Sequence, residues 1–130
     1  MAEVAEAAAT AILIASGLAT RYNPFVMDAV VRNRIKWHQL PPGTDSHRCV
    51  ALLDACEIGR QVWLEHPDGR IIGPVIVADC AQSVHKGMLR RRKWAVDLSY
   101  ELAVELGVIH RPMKGFKVWD RDPRSTRNVD

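Results

Sequence analysis

At 130 residues, 48% of them hydrophobic and 25% charged, the chain is long enough to enclose one core without metals or several disulfides and has the balance of an ordinary soluble globule. Its formal charge of +3 is unevenly placed: residues 1–84 hold 7 Lys and Arg against 9 Asp and Glu, and residues 85–130 hold 11 against 6. A basic C-terminal third favours polyanions as a class, nucleic acid, teichoic polymers and anionic head groups alike, and selects none of them.

Residues 3–16 are Ala-rich, and Ile12, Leu13 and Ile14 form an apolar patch too short to span a membrane. Glu3 and Glu6 stand where a signal peptide would carry Lys or Arg. The stretch reads as a short helix or ordered arm leading into a first strand over residues 12–22. Asn23-Pro24 ends that strand, because a residue before proline is pushed to an extended conformation. Residues 25–35 are expected as a short helix with Phe25, Ala29 and Val30 on its apolar face. Pro41-Pro42-Gly43-Thr44-Asp45 is a turn cluster. Residues 49–56, which begin and end in cysteine, read as a plug or rim before a strand over residues 61–65. His66-Pro67-Asp68-Gly69 is a hairpin turn, with Asp-Gly its strongest signal, and residues 70–73 return from it.

Gly73-Pro74 opens a continuous apolar run, Val75 to Ala78, of the kind expected for a strand buried on both faces, and Asp79-Cys80 follows at once. Residues 82–93 are expected as a loop carrying Lys86 and the run Arg90, Arg91, Arg92, Lys93. No base-reading motif accompanies that run, so no specific nucleic acid is expected. Trp94-Ala95-Val96 is a second short strand running into Asp97-Leu98-Ser99. Ser99 is a good N-cap, Leu98, Leu102, Ala103 and Leu106 recur at helical spacing, and Gly107 is a C-terminal stop, so this helix has about two turns. Residues 115–119 alternate apolar and basic as a last strand, with Trp63 and Trp119 expected in the core, and residues 120–130 form a polar tail.

Three cysteines leave at least one thiol free or paired with another chain. Cys49 and Cys56 are close enough in sequence to staple their loop, the alternative being three reduced thiols. The cysteine spacings are long and no His pair stands at i, i+4, so neither a metal nor a cofactor is expected.

The run Gly73-Pro74-Val75-Ile76-Val77-Ala78-Asp79-Cys80, a variable loop, then Val96-Asp97-Leu98-Ser99-Tyr100 and a Leu/Ala-rich helix ending in Leu106-Gly107 together resemble the double-psi β-barrel of rare lipoprotein A, barwin and expansin domains. Gly17-Leu18-Ala19-Thr20-Arg21-Tyr22 is similar to that family's first strand, and His38-Gln39-Leu40-Pro41 to its His-x-x-Leu-Pro segment. Gly59-Arg60-Gln61-Val62-Trp63-Leu64 is similar to the strand before the central hairpin. The resemblance implies a mainly β fold: a six-stranded double-psi β-barrel with two or three short helices over residues 17–119. An N-terminal arm, residues 1–16, and a C-terminal tail, residues 120–130, would flank it.

It also implies a site. In expansins and in the inverting endoglucanases that share this barrel, the aspartate matching Asp97 lies in the polysaccharide groove, and in the endoglucanases it is the general acid. Such an acid must hold a proton near neutral pH, which burial beside apolar groups such as Trp94 promotes. The blander role for Asp97 is an ionised carboxylate near a helix start. Asp79 matches the aspartate of an Asn-Asp-Arg-Gly segment in rare lipoprotein A domains, although Cys80 and Ala81 replace the Arg and Gly. Its blander role is to tie a strand end to a neighbouring loop. His38 would position a water or a sugar hydroxyl, and Tyr22 and Trp37 would stack on sugar faces. Asn23 stands where the endoglucanases place their catalytic base. Asn23 cannot activate water, and Asp28 would have to turn into the groove to do so, which leaves lytic cleavage, needing no external water, open to Asp97 or Asp79.

The expected function is therefore a cell-wall or polysaccharide-associated module outside the cytoplasm that binds peptidoglycan or a related glycan, either as a lytic transglycosylase-like or glycan-hydrolysing enzyme or as a non-catalytic glycan binder, with Asp79 and Asp97 together at one rim. The alternative is a structural domain of a larger assembly, such as a virion or envelope complex, with the arm and the basic loop as protein contacts.

Overall fold

The computed structural model describes residues 10–53, 57–81 and 83–125. In chain order the elements are β1 Leu13–Arg21, α1 Val26–Lys36, a 3-10 turn at Ser46–Arg48, β2 Cys49–Leu52, β3 Gln61–Glu65, β4 Ile71–Cys80, α2 Ser83–Arg91, β5 Trp94–Leu98, α3 Tyr100–Leu106 and β6 Met113–Trp119. The six strands close into a barrel in the order β1-β5-β2-β4-β3-β6. β1 runs parallel to β5 and β2 parallel to β4, and the antiparallel pairing of β2 with β5 joins these two pairs. β3 and β6 complete the ring with antiparallel neighbours on both sides.

Strand alternation builds the interior. Val50 and Leu52, Val62 and Leu64, Val75 and Val77, Val96 and Leu98, and Phe116 and Val118 meet in one cluster, to which α3 adds Leu102, Ala103 and Leu106. Each such side chain contributes about 1.5–3 kcal/mol by leaving water. α3 has only 7 residues, too few for a helix to persist alone, so its packing and its ends hold it. At one end the Ser99 hydroxyl oxygen accepts from Leu102 N–H (3.2 Å); at the other, Gly107 takes the left-handed conformation at φ 77.

Several expectations are corrected. Cys49–Leu52 is a barrel strand, not a plug or rim, and all four of its residues are buried. The strand shows no polar alternation because α1 covers its outer side: Met27, Val31 and Leu40 pack against Cys49 and Ala78. Hence α1 buries Met27 and Val31, while Phe25 is 78% exposed. Residues 83–91 are helical, not a loop. Trp63 and Trp119 lie opposite each other on neighbouring strands, outside the inward-facing set. Gly73 makes room for Trp63, since a Cβ there would stand 2.4 Å from its ring. β1 begins at Leu13, within the expected arm. Asp120, at the start of the expected tail, accepts the Ile12 N–H through its carboxylate at 2.7 Å and donates its own N–H to the Ile12 carbonyl at 3.0 Å.

The expected Cys49–Cys56 staple is also corrected. Cys49 is a free, buried thiol packed under α1, and its Sγ donates to the Asp45 carbonyl at 3.3 Å. Burial, with the Asp45 charge adding, pushes this thiol up to about 12, which keeps it protonated and inert. Cys56 lies outside the described residues. Among the described residues, Cys80 is disulfide-bonded. Among the described residues no helix is long and apolar enough to cross a membrane.

Candidate functional site

Strand register brings the two aspartates to one place. Ala51 in β2 is the partner of Asp97 on one side and of Asp79 on the other, so the two Cα atoms lie two strand spacings apart, about 10 Å. The outer face of the barrel holds both, by different means. Asp97 lies between the inward-facing Val96 and Leu98, so alternation alone turns it outward. Asp79 is two residues from the inward-facing Val77 and would share its direction. A one-residue register shift, with Val50 opposite Val77 but Ala51 opposite Asp79, inserts Ala78 and re-aims the carboxylate.

The surroundings of the two carboxyls differ. Asp79 is ion-paired: its Oδ1 accepts from Arg34 Nη2 at 2.9 Å, and its Oδ2 accepts from the Tyr22 hydroxyl at 2.8 Å. Burial, then this hydrogen bond to Asp79, raises Tyr22 far above the usual tyrosine range, so its hydroxyl is a permanent donor. Asp97 has a neutral partner. Trp94 Nε1 donates to Thr20 Oγ1 at 2.7 Å, and Thr20 Oγ1 donates to Asp97 Oδ1 at 3.0 Å. Burial lifts the Asp97 carboxyl from 3.8 to about 6, and the Asp79 charge adds to it against the Thr20 hydrogen bond and the Arg21 charge. Oδ2 takes no hydrogen bond from the described residues and is the oxygen left to carry the proton.

Asp97 opens into a cavity of about 330 Å³ on the outer face of β1, β5, β2 and β4, with Thr20, Tyr22, Ala51 and Trp94 in its wall. α2 forms the facing wall with His85, Met88 and Leu89, and Arg92 closes its C-terminal side. The volume is within the range of small-ligand sites. Among the described residues no three His, Cys, Asp or Glu side chains come together as a metal site.

Of the residues expected at the site, the structure gathers Asp97, Asp79, Tyr22 and Trp94. Trp94 is 9% exposed, a fixed wall and not a platform. His38 and Trp37 follow the last turn of α1, are both exposed, and line no part of the Asp97 cavity. Asn23 faces a neighbouring cavity bounded by Ile109, His110 and Arg111, and accepts from Arg21 Nη1 at 2.9 Å. Asp28 accepts from the Ser46 hydroxyl and stands 3.9 Å from His47, away from Asp97. Sequence reasoning missed Thr20, Arg34, His85 and Arg92. Thr20 was signalled by its parity with Tyr22, and the α2 wall by the spacing of His85, Met88, Leu89 and Arg92 at i, i+3, i+4 and i+7.

Compared with family models, with curated proteins and with solved structures, the chain matches none.

Proposed function

We propose that this barrel binds a cell-wall or related glycan outside the cytoplasm and cleaves it by a lytic route, with Asp97 as the acid. The observation that carries the reading is the Asp97 carboxyl, lifted to about 6 by burial and lining an open cavity. An acid so placed holds a useful share of its proton near neutrality. It gives that proton to the glycosidic oxygen as the bond to the anomeric carbon breaks. A hydroxyl of the same sugar then closes on the anomeric carbon, and the ionised Asp97 takes up the hydroxyl proton. No outside water and no second carboxylate base is needed, in keeping with Asn23 after Tyr22 and with Asp28 turned to Ser46. The Asp79 carboxylate, held by Arg34, fixes the Tyr22 hydroxyl in the cavity wall and so keeps the wall beside Asp97 rigid.

The disulfide at Cys80 supports an oxidising compartment. The test is incubation with purified peptidoglycan and with cellulose, followed by mass spectrometry of soluble products and sedimentation of bound protein. Anhydro-sugar ends that vanish in Asp97→Asn are the expected result. Reducing ends would replace the lytic route with hydrolysis, and retention without products would leave a glycan binder. Neither retention nor products would leave a scaffold domain of a larger assembly.

A further inference from the structure

We propose that Trp94 is a positioning residue for the acid: through its indole N–H it turns the Thr20 hydroxyl hydrogen onto Asp97 Oδ1, so that the transferable proton stays on Oδ2. The inference rests on the acid role given to Asp97 above. An indole nitrogen only donates, whereas a hydroxyl both accepts and donates. At 2.7 Å from Trp94 Nε1 the Thr20 oxygen is therefore the acceptor, and its own hydrogen goes elsewhere. Two acceptors are in reach, Asp97 Oδ1 at 3.0 Å and the Val96 carbonyl at 3.5 Å. The first is within ordinary O–H···O length and the second beyond it, and an ionised carboxylate is also the stronger acceptor. A proton on Oδ1 would meet the Thr20 hydrogen head-on, and would be kept only by turning Thr20 to the longer Val96 contact. On Oδ2, the oxygen that Thr20 leaves unoccupied, it meets no such competitor.

Trp94 reaches Thr20 because of an irregularity in strand pairing. Trp94 and Asp97 are three residues apart, a spacing that in a regular strand turns side chains to opposite faces. Beside β1, however, Leu18 pairs with Trp94 and Ala19 with Val96, so Ala95 is an extra residue in β5. Ala95 and Val96 both belong to the inner cluster, and Trp94 comes round to the outer face, where it lines the Asp97 cavity with Thr20. Bulges beside functional sites re-aim side chains, and this one delivers an N–H to Thr20. Burial holds the donor still, since Trp94 is 9% exposed, and the bond that Thr20 accepts strengthens the one it donates. The Thr20 hydrogen bond opposes burial at the Asp97 carboxyl, so a change in its direction is readable as a change in titration.

The test is a double-mutant cycle read by carbon-13 NMR titration of the Asp97 carboxyl in the wild type, Trp94→Phe, Thr20→Val and the two combined. Thr20→Val removes the donor to the ionised form and should raise the Asp97 midpoint by about 0.5 to 1. Trp94→Phe should raise it by about 0.5 where Thr20 is present, because the released hydroxyl can turn to accept from the protonated carboxyl. In the Thr20→Val background the same change should add nothing. Any loss of burial from the smaller ring lowers the midpoint in both backgrounds, so the difference between backgrounds isolates the action through Thr20. Equal effects of Trp94→Phe in the two backgrounds overturn the proposal. A second measurement needs no Trp94 variant: the Trp94 indole N–H resonance should titrate with the Asp97 midpoint in the wild type and lose that dependence in Thr20→Val. An indole resonance that follows Asp97 in both proteins, or in neither, also overturns the proposal. Neither measurement uses a glycan. Peptidoglycan left uncleaved by the wild type would end the glycan reading and leave these midpoints as they are, whereas cleavage whose pH dependence Trp94→Phe does not move would end the positioning role alone.

Discussion

The ends of β4 and β5 present the same residue type on either side of Ala51, yet they make opposite environments. Asp79 has both oxygens occupied, one by the Arg34 cation and one by the Tyr22 hydroxyl. Asp97 has one oxygen on Thr20 and the other without a partner among the described residues, and burial lifts its proton affinity to about 6. A carboxyl whose burial favours its proton is the usual basis for an acid role in a site. The difference comes from what the outer face supplies: α1 brings the Arg34 cation into contact with Asp79, whereas the hydrogen-bond partner of Asp97 is the neutral Thr20 hydroxyl.

The comparison breaks most readily at Asp97. Asp97→Asn keeps an acceptor for Thr20 but no transferable proton, so glycan turnover is expected to fall by about 10²- to 10⁴-fold, read from product release. Unchanged turnover would remove Asp97 from the chemistry. At Asp79 the expected effect is on the fold. Arg34→Met strands a carboxylate that is only 23% exposed, and denaturant unfolding should show a loss of about 3 kcal/mol. A loss no larger than that of Thr20→Val, about 1 kcal/mol, would mean that the two ends are not energetically distinct.

The pH dependence of stability sharpens the same contrast. Asp97 binds its proton more tightly folded than unfolded, so its contribution is complete below about 4 and is lost as pH rises through about 6. Denaturant unfolding should show the wild type losing about 2 kcal/mol over that window from this one group, and Asp97→Asn losing correspondingly less. By the same carboxyl, glycan turnover should decline as pH rises through about 6. The smallest effect is expected for Tyr22→Phe, which removes one donor from Asp79 while Arg34 remains. Unfolding should show a loss of about 1 kcal/mol, and a neutral result would assign the hold on Asp79 to Arg34 and the Cys80 N–H.

What could be read from the residues divides along the same physical grounds. The strand at Gln61–Glu65, its hairpin turn and the Ser99-to-Gly107 helix with its caps were legible, because each is set by local pattern and by residues suited to turns and ends. So was the meeting of Asp79 with Asp97, since both follow apolar strand runs. β2 was not: it is a short apolar run of the same kind as Val75 to Ala78, but the cysteines at residues 49 and 56 point equally to a stapled loop. α2 was hidden by its charge: the basic run at its C-terminal end masks an apolar face of few residues. Arg34 as the partner of Asp79 is a long-range pairing, 45 residues apart in the chain, and nothing local announces it. The displacement of His38 and Trp37 from the cavity likewise depends on how α1 docks against β2 and β4, which a short motif does not specify.

The most direct measurement is a carbon-13 NMR titration of the aspartate side-chain carboxyls, with the Asp97 resonance assigned by its absence in Asp97→Asn. A midpoint near 6 for Asp97 is the expected result. A midpoint near the ordinary 3.8 would leave Asp97 ionised at neutral pH, without the proton on which its role as an acid depends.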